Sequence, residues 1–248
     1  MRGRFDIALA IRRVTLAFWD DFAAIVIGGF VAVTVPQLLA APFAADLGAG
    51  AGTLVTTARA VLAMLYVAVV SHGVTRRLAG QPLPTGRFIA QGLSRARPGV
   101  EVALLLGAGG VVLLTIELFG RTGTLAGTAL HALIAGGAIW AACMLLPVVP
   151  AATAERLRPL AAIRRAAALT LGHRDRLLVL LILVALTLLP AAVLIAVLVE
   201  GDAARVDGAG LWLSALFGLL ACSLVATVPP VVYAGLVDTA EPGMPLGE

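Results

Sequence analysis

The sequence predicts an all-α integral membrane protein of six transmembrane helices. They fold as three hairpins, each preceded by a basic amphipathic helix in the membrane interface. Three observations predict this. Of the 248 residues 60% are apolar and 13% charged, with a mean hydropathy of +1.03; soluble domains average roughly 45–50% apolar and about 25% charged. The apolar residues form continuous runs, each long enough to supply the ~20 helical residues that cross a hydrocarbon core. They do not alternate, and they are twice the length a barrel strand needs. The arginines, finally, gather in alternate connections.

The elements follow in order. An arginine-bearing segment, "ALAIRRVTLAFWDD" (Ala8 to Asp21), leads into the first span, within Phe22 to Ala45. The second span runs from about Leu54 to Val74 with Arg59 near its start, and "RFIAQGLSRARPG" (Arg87 to Gly99) precedes the third, about Val100 to Phe119. The fourth lies within Thr122 to Ala154. "LRPLAAIRRAAALTLGHRDR" (Leu157 to Arg176) then introduces the uncharged fifth, Leu177 to Val199, and the sixth covers about Leu211 to Val232. The connections Asp46 to Thr53, Gly120 to Thr124 and Glu200 to Gly210 are short; the other two are longer and basic.

Fifteen of the eighteen arginines, the chain having no lysine, fall before span one or in the two long connections. Only Arg59, Arg121 and Arg205 fall on the other side. Since cytoplasmic loops carry the Lys/Arg excess, both termini and both long loops are expected in the cytoplasm, with the chain in a bacterial inner membrane. The run after Asp21 is far longer than the 7–15 residues of a signal-peptide core, so Met1 to Ala41 is expected to be a retained span.

Shifting the chain by 152 positions lays Ala10-Ile11-Arg12-Arg13 on Ala162-Ile163-Arg164-Arg165, and a shift of 77 puts the Arg87 segment in the same slot. The reading is a single membrane domain of three repeats, 1–76, 77–154 and 155–238, with a short acidic tail at 239–248. In the first segment Ile7, Ile11, Val14 and Phe18 form the apolar stripe; in the third, Leu160, Ile163, Ala167 and Leu171 do. Gly172 is expected to end the third helix. Arg12, Arg13, Arg95, Arg97, Arg158, Arg164, Arg165, Arg174 and Arg176 are the expected anchors to the anionic headgroup layer.

"ERLRPLAAIRRAAALTLGHRDRLLVLLIL" (Glu155 to Leu183), "VPPVVYAGLVDTAEP" (Val228 to Pro242) and "FDIALAIRRVTLAFWDDF" (Phe5 to Phe22) together resemble bacterial six-span proteins related to the membrane domain of glycerophosphoryl diester phosphodiesterases. In that family an acidic residue precedes the third basic helix, and a Tyr in the last span precedes a polar tail. Two features depart from its pattern: Ala166-Ala167 stands where Ser-Trp is usual, and the tail is acidic. The resemblance implies an accessory membrane domain, without the soluble catalytic barrel of fused members.

Sites of chemistry are sparse. "HRD" at His173 to Asp175 mimics the kinase catalytic loop, but the metal-binding Asn five positions on is Leu180. The sequence contains no HExxH, GxSxG or CxxC motif, and Cys143 and Cys222 sit singly in apolar runs. No cofactor, metal or nucleic-acid partner is expected. Intramembrane ionisable residues are costly and therefore candidates. Arg59 either snorkels outward or pairs with Glu117; His131, deepest of all, is a hydrogen-bonded packing residue or a proton carrier; His72 ends span two. Pro36, Pro147, Pro190, Pro229 and Pro230 interrupt spans one, four, five and six; they either line a substrate cavity with broken backbone or, the favoured reading, are the prolines common in membrane helices. Gly107 to Gly110, and Gly123 with Gly127, would let helices approach closely. The leading functional expectation is a non-enzymatic membrane protein that organises a partner or the lipid phase. A transporter or permease subunit whose surface helices dock a motor protein is the alternative, and an intramembrane lipid enzyme ranks third.

Overall fold

The computed structural model describes residues 5–40, 49–120, 125–200 and 208–240. Among them there are only helices, and five are long and apolar enough to cross a membrane: Phe22–Leu39, Thr57–Leu78, His131–Glu155, Arg174–Leu194 and Trp212–Ala240. The expected third span lies in another helix, Arg97–Gly120 (24 residues), whose side chains at 111–120 are outside the described residues. The tail from 241 on, most of the short connections, Arg121 and Arg205 also lie outside them.

Helix α1 (Ile7–Asp20) is capped by Asp6, whose Oδ1 accepts from the backbone N–H groups of Ala8 and Leu9 at 2.9 and 3.2 Å. That satisfies two of the free donors at a helix start. The chain turns at Asp21 into α2 (Phe22–Gly29), passes a π-helical turn at Phe30–Thr34, and ends the span as α3 (Val35–Ala40). Pro36 accounts for the π turn. Its ring would strike the carbonyl four residues back in an α-helix and it has no N–H to give; a wider turn, with the Val35 N–H donating to the Phe30 carbonyl, relieves both.

Helix α4 (Ala49–Leu78) begins inside the stretch expected to be a loop and runs for 30 residues. The second basic segment is α5 (Thr85–Arg95), folded back against α4. Their approach is set by Gly73, where an added Cβ would stand 2.0 Å from the ring of Phe88. Phe88 is buried there. Helix α6 (Arg97–Gly120) follows, then α7 (Leu125–Leu145). Pro147 separates α7 from the short α8 (Val148–Glu155). The third basic segment is α9 (Pro159–Thr170), with Pro159 at its first turn, and Gly172 ends it at φ +88°, as the sequence predicts. Helices α10 (Arg174–Glu200) and α11 (Gly208–Ala240) complete the fold, with Pro190 and the Pro229-Pro230 pair inside otherwise continuous helices.

The core is concentrated at the arginine-rich end. Tyr66, Val70 and Val74 of α4 meet Ile25 of α2, Phe88 of α5, Ala151 of α8, Leu177 and Leu180 of α10, and the stretch of α11 from Ala226 to Val237. The opposite ends are apolar and bare: Leu133, Leu186, Leu189, Leu194 and Leu213 are all exposed. A span needs about 20 residues, so α4 and α11, with 30 and 33, have turns to spare. The layer built around those turns holds α1, α5, α8 and α9.

The apolar stripe of α1 is met in part, Val14 and Phe18 being buried and Ile7 half-buried, while that of α9 differs from expectation. In α1 the buried residues are Ala10, Val14, Ala17 and Phe18; in α9 they are Ala162, Ala166, Leu169 and Thr170. Ile11, Leu160 and Leu171 are exposed instead. Alanines at Ala10, Ala17, Ala162 and Ala166 take inward positions, where they let backbones approach closely, beside the buried Val14, Phe18 and Leu169. The two buried sets stand 152 positions apart, residue for residue. In α5 the buried pair Phe88 and Gly92 matches Ala10 and Val14 at a shift of 78, one more than the sequence alignment suggests.

Candidate functional site

The chemistry of the described residues gathers at the basic end, where three charged ties cross between helices. Arg77, near the end of α4, grips Asp21 with Nε on one carboxylate oxygen and Nη2 on the other, while Nη1 reaches Asp20 at 3.4 Å. The Asp21 side chain is 4% exposed, and a planar fork is the geometry that best holds a buried carboxylate. Arg13 of α1 donates to Asp238 of α11 at 2.9 Å. Glu155, at the end of α8, accepts from both Tyr233 of α11 at 2.7 Å and Arg165 of α9 at 3.0 Å. Arg13 and Arg165 are the second arginines of the two "IRR" triplets; Arg13 reaches the end of the long α11, and Arg165 the end of the short α8. Arg176 adds a donor to the carbonyl of Phe5 at 2.5 Å.

Beside these ties three arginines stand around a buried histidine, with no counter-charge among the described residues. His72 of α4 is 3% exposed, and its Nε2 has no hydrogen-bond partner among the described residues. Arg76 lies one turn on, its buried Nε likewise unpartnered, and the hydroxyl of Ser71 is buried and unpartnered too. Arg95, from the end of α5, and Arg156, from the α8–α9 connection, also act electrostatically on the His72 ring. None of the three arginines makes an ion pair with a carboxylate among the described residues. Each buried polar group left unmatched costs about 1–3 kcal/mol.

The remaining sequence candidates are dispersed. Arg12, Arg158 and Arg164 are exposed on the basic layer. Arg97 makes an exposed pair with Glu101 at 2.9 Å, one turn on, and the guanidinium of Arg174 lies 4.7 Å over the ring of Trp140. That contact puts Trp140 beside the basic layer. Arg59 is exposed on α4, and its suggested pairing with Glu117 involves a side chain outside the described residues. His131 lies on the exposed side of α7. Cys143 and Cys222 are free thiols, and no metal-binding group of His, Cys, Asp and Glu occurs among the described residues.

Mid-bundle, Tyr66 donates to the Ile25 carbonyl at 3.0 Å and shares a 2.9 Å hydrogen bond with Ser223, tying α4, α2 and α11. Gly29 makes room for this contact. Thr34, in the π turn, is buried with its hydroxyl unpartnered. An apolar groove of about 160 Å³ runs between α1, α10 and α11, lined by Ile11, Val14, Leu180, Leu183, Leu224 and Val228.

No family model matches the chain, and neither a curated protein nor a solved structure does. Sequence reasoning missed the convergence on His72, although a signal was present: His72 and Arg76 are four apart and therefore share a helix face. The role of Glu155 as a joint between α9 and α11 was also missed. Its two partners lie 10 and 78 positions away.

Proposed function

We propose that this chain is a non-enzymatic six-span protein of the bacterial inner membrane, with three helical hairpins and both termini cytoplasmic. Its task is to organise a partner protein or the surrounding lipid. The observation that carries this reading is the two-sided character of the basic helices. Each buries one face in the bundle, small residues together with one large one (Phe18, Phe88 or Leu169). At the same time α1 shows Leu9, Ile11, Arg12, Leu16 and Trp19 on its exposed side, and α9 shows Leu160, Arg164 and Leu171. Large apolar groups interspersed with arginine suit the headgroup layer of an anionic leaflet or the flank of another membrane protein. The ties to Asp21, Asp238 and Glu155 hold this surface in one shape. The 152-residue coincidence of buried positions supports the repeat, and the meeting of Glu155 with Tyr233, one from each of two resembling motifs, agrees with the accessory membrane domain that the resemblance implies.

Affinity purification from native membranes in several mild detergents tests the reading. A reproducible partner, weakened by Trp19→Ser and Leu160→Ser while the thermal melt holds, is the expected result. A chain that stays solitary in every detergent and leaves lipid order unchanged overturns it.

A transporter or permease subunit is the second reading. The observation favouring it is the π turn at Phe30–Thr34 with its buried Thr34 hydroxyl, since broken helices with polar backbone line substrate paths. Solute flux in proteoliposomes, abolished by Thr34→Val, would replace the first reading with this one.

A further inference from the structure

We propose that Ser71, His72, Arg76, Arg95 and Arg156 form a binding site for a phosphate-class anion at the basic end of the bundle. The cluster belongs to none of the charged ties. Three separate elements contribute to it: the end of α4, the end of α5 and the connection between α8 and α9. Gly92 and Gly99, either side of Arg95, pack against Val69 and Ala68 of α4, and Gly99 also against Thr153, just before Arg156; the half-buried Arg76 and Arg95 and the exposed Arg156 thus stand around the buried His72 with no carboxylate paired to them among the described residues. The unpartnered atoms fit the same ligand. Nε2 of His72 and Nε of Arg76 are nitrogens that can donate, and Ser71 adds a hydroxyl, all buried and all without a partner among the described residues. A phosphate group offers several acceptor oxygens and up to two negative charges, and guanidinium forks match its edges. The phosphate can be free or the headgroup of a lipid. The proposal does not depend on which partner, if any, the outer faces of α1 and α9 contact.

Titration calorimetry on the full chain in zwitterionic detergent tests it with two probes, inorganic phosphate and dihexanoyl phosphatidic acid. Saturable binding of at least one is expected. Arg76→Gln and Arg95→Gln should each weaken it by about tenfold or more, as loss of a charge-assisted hydrogen bond does. Arg156→Gly should weaken it while leaving the melting temperature unchanged or higher, because Arg156 sits at φ 52° and glycine takes that conformation readily. This variant separates lost binding from lost folding. Arg87→Gln, on the exposed side of α5, should bind as the parent does. Binding of the lipid probe alone assigns the site to a headgroup; equal binding of both assigns it to free phosphate. The proposal falls if neither probe saturates, or if the Arg76, Arg95 and Arg156 variants all retain parental affinity.

Discussion

At the scale of single residues, Tyr233 carries more than its bulk. Its ring is buried in α11 and its hydroxyl donates to Oε1 of Glu155, the same oxygen that Arg165 reaches, so one side chain both packs the core and shares a carboxylate oxygen. Tyr233→Phe keeps the packing and removes the donor, leaving Arg165 as the remaining partner of Glu155. The expected loss is about 1–1.5 kcal/mol. In a detergent-solubilised melt that is a drop of about 2–6 °C for a chain of this size. An unchanged melt would show that Glu155 takes its second donor from water. Such partners are not legible in a sequence. The sequence marks Tyr233 as a motif residue and Glu155 as an acid before a basic helix, but only the fold places the two side chains together.

At the scale of elements, the existence and extent of the helices were largely readable. Runs such as Leu177 to Val199 admit no other structure at that length, and Gly172 ends α9 as its place after the periodic stretch suggests. The orientation of α1 and α9 was not readable by the usual rule, because that rule puts large aliphatics inside and water outside. Where the surroundings are apolar, Leu gains nothing by burial and Ala gains close approach. The two faces of α9 therefore respond oppositely. Ala162→Leu, at a fully buried position, should overpack the α6–α8–α9 contact and cost about 1–3 kcal/mol. Leu160→Ala, at a side chain 66% exposed, should stay within about 0.5 kcal/mol. Thermal melts of the two variants check this, and the reverse order would restore the stripe read from the sequence. The π turn was equally hidden. Pro36 signals a disturbance, yet proline alone does not say whether a helix kinks, breaks or widens.

At the scale of the whole molecule, the proposed orientation rests on charge. The arginines whose number carries that proposal also build the layer at the basic end: Arg13, Arg77 and Arg165 tie helices together, and Arg76, Arg95 and Arg156 stand around His72. Orientation can be tested directly with Arg164→Cys in a Cys143→Ser, Cys222→Ser background, since Arg164 is exposed. A membrane-impermeant maleimide should label it only after the cells are permeabilised. Labelling of intact cells would invert the topology, and with it the leaflet that α1 and α9 meet.

The concentration of packing at one end of the bundle has a mechanical consequence. Helices whose described core lies along one rim, with Leu186, Leu189, Leu194 and Leu213 exposed away from it, should answer a thinner or thicker bilayer chiefly by tilting or bending the halves far from that rim. Amide hydrogen exchange should then be graded along each long helix, slowest beside Leu177 and Val232 and fastest toward Leu194 and Trp212. Changing the acyl-chain length of the host lipid should shift the fast half and leave the slow half alone.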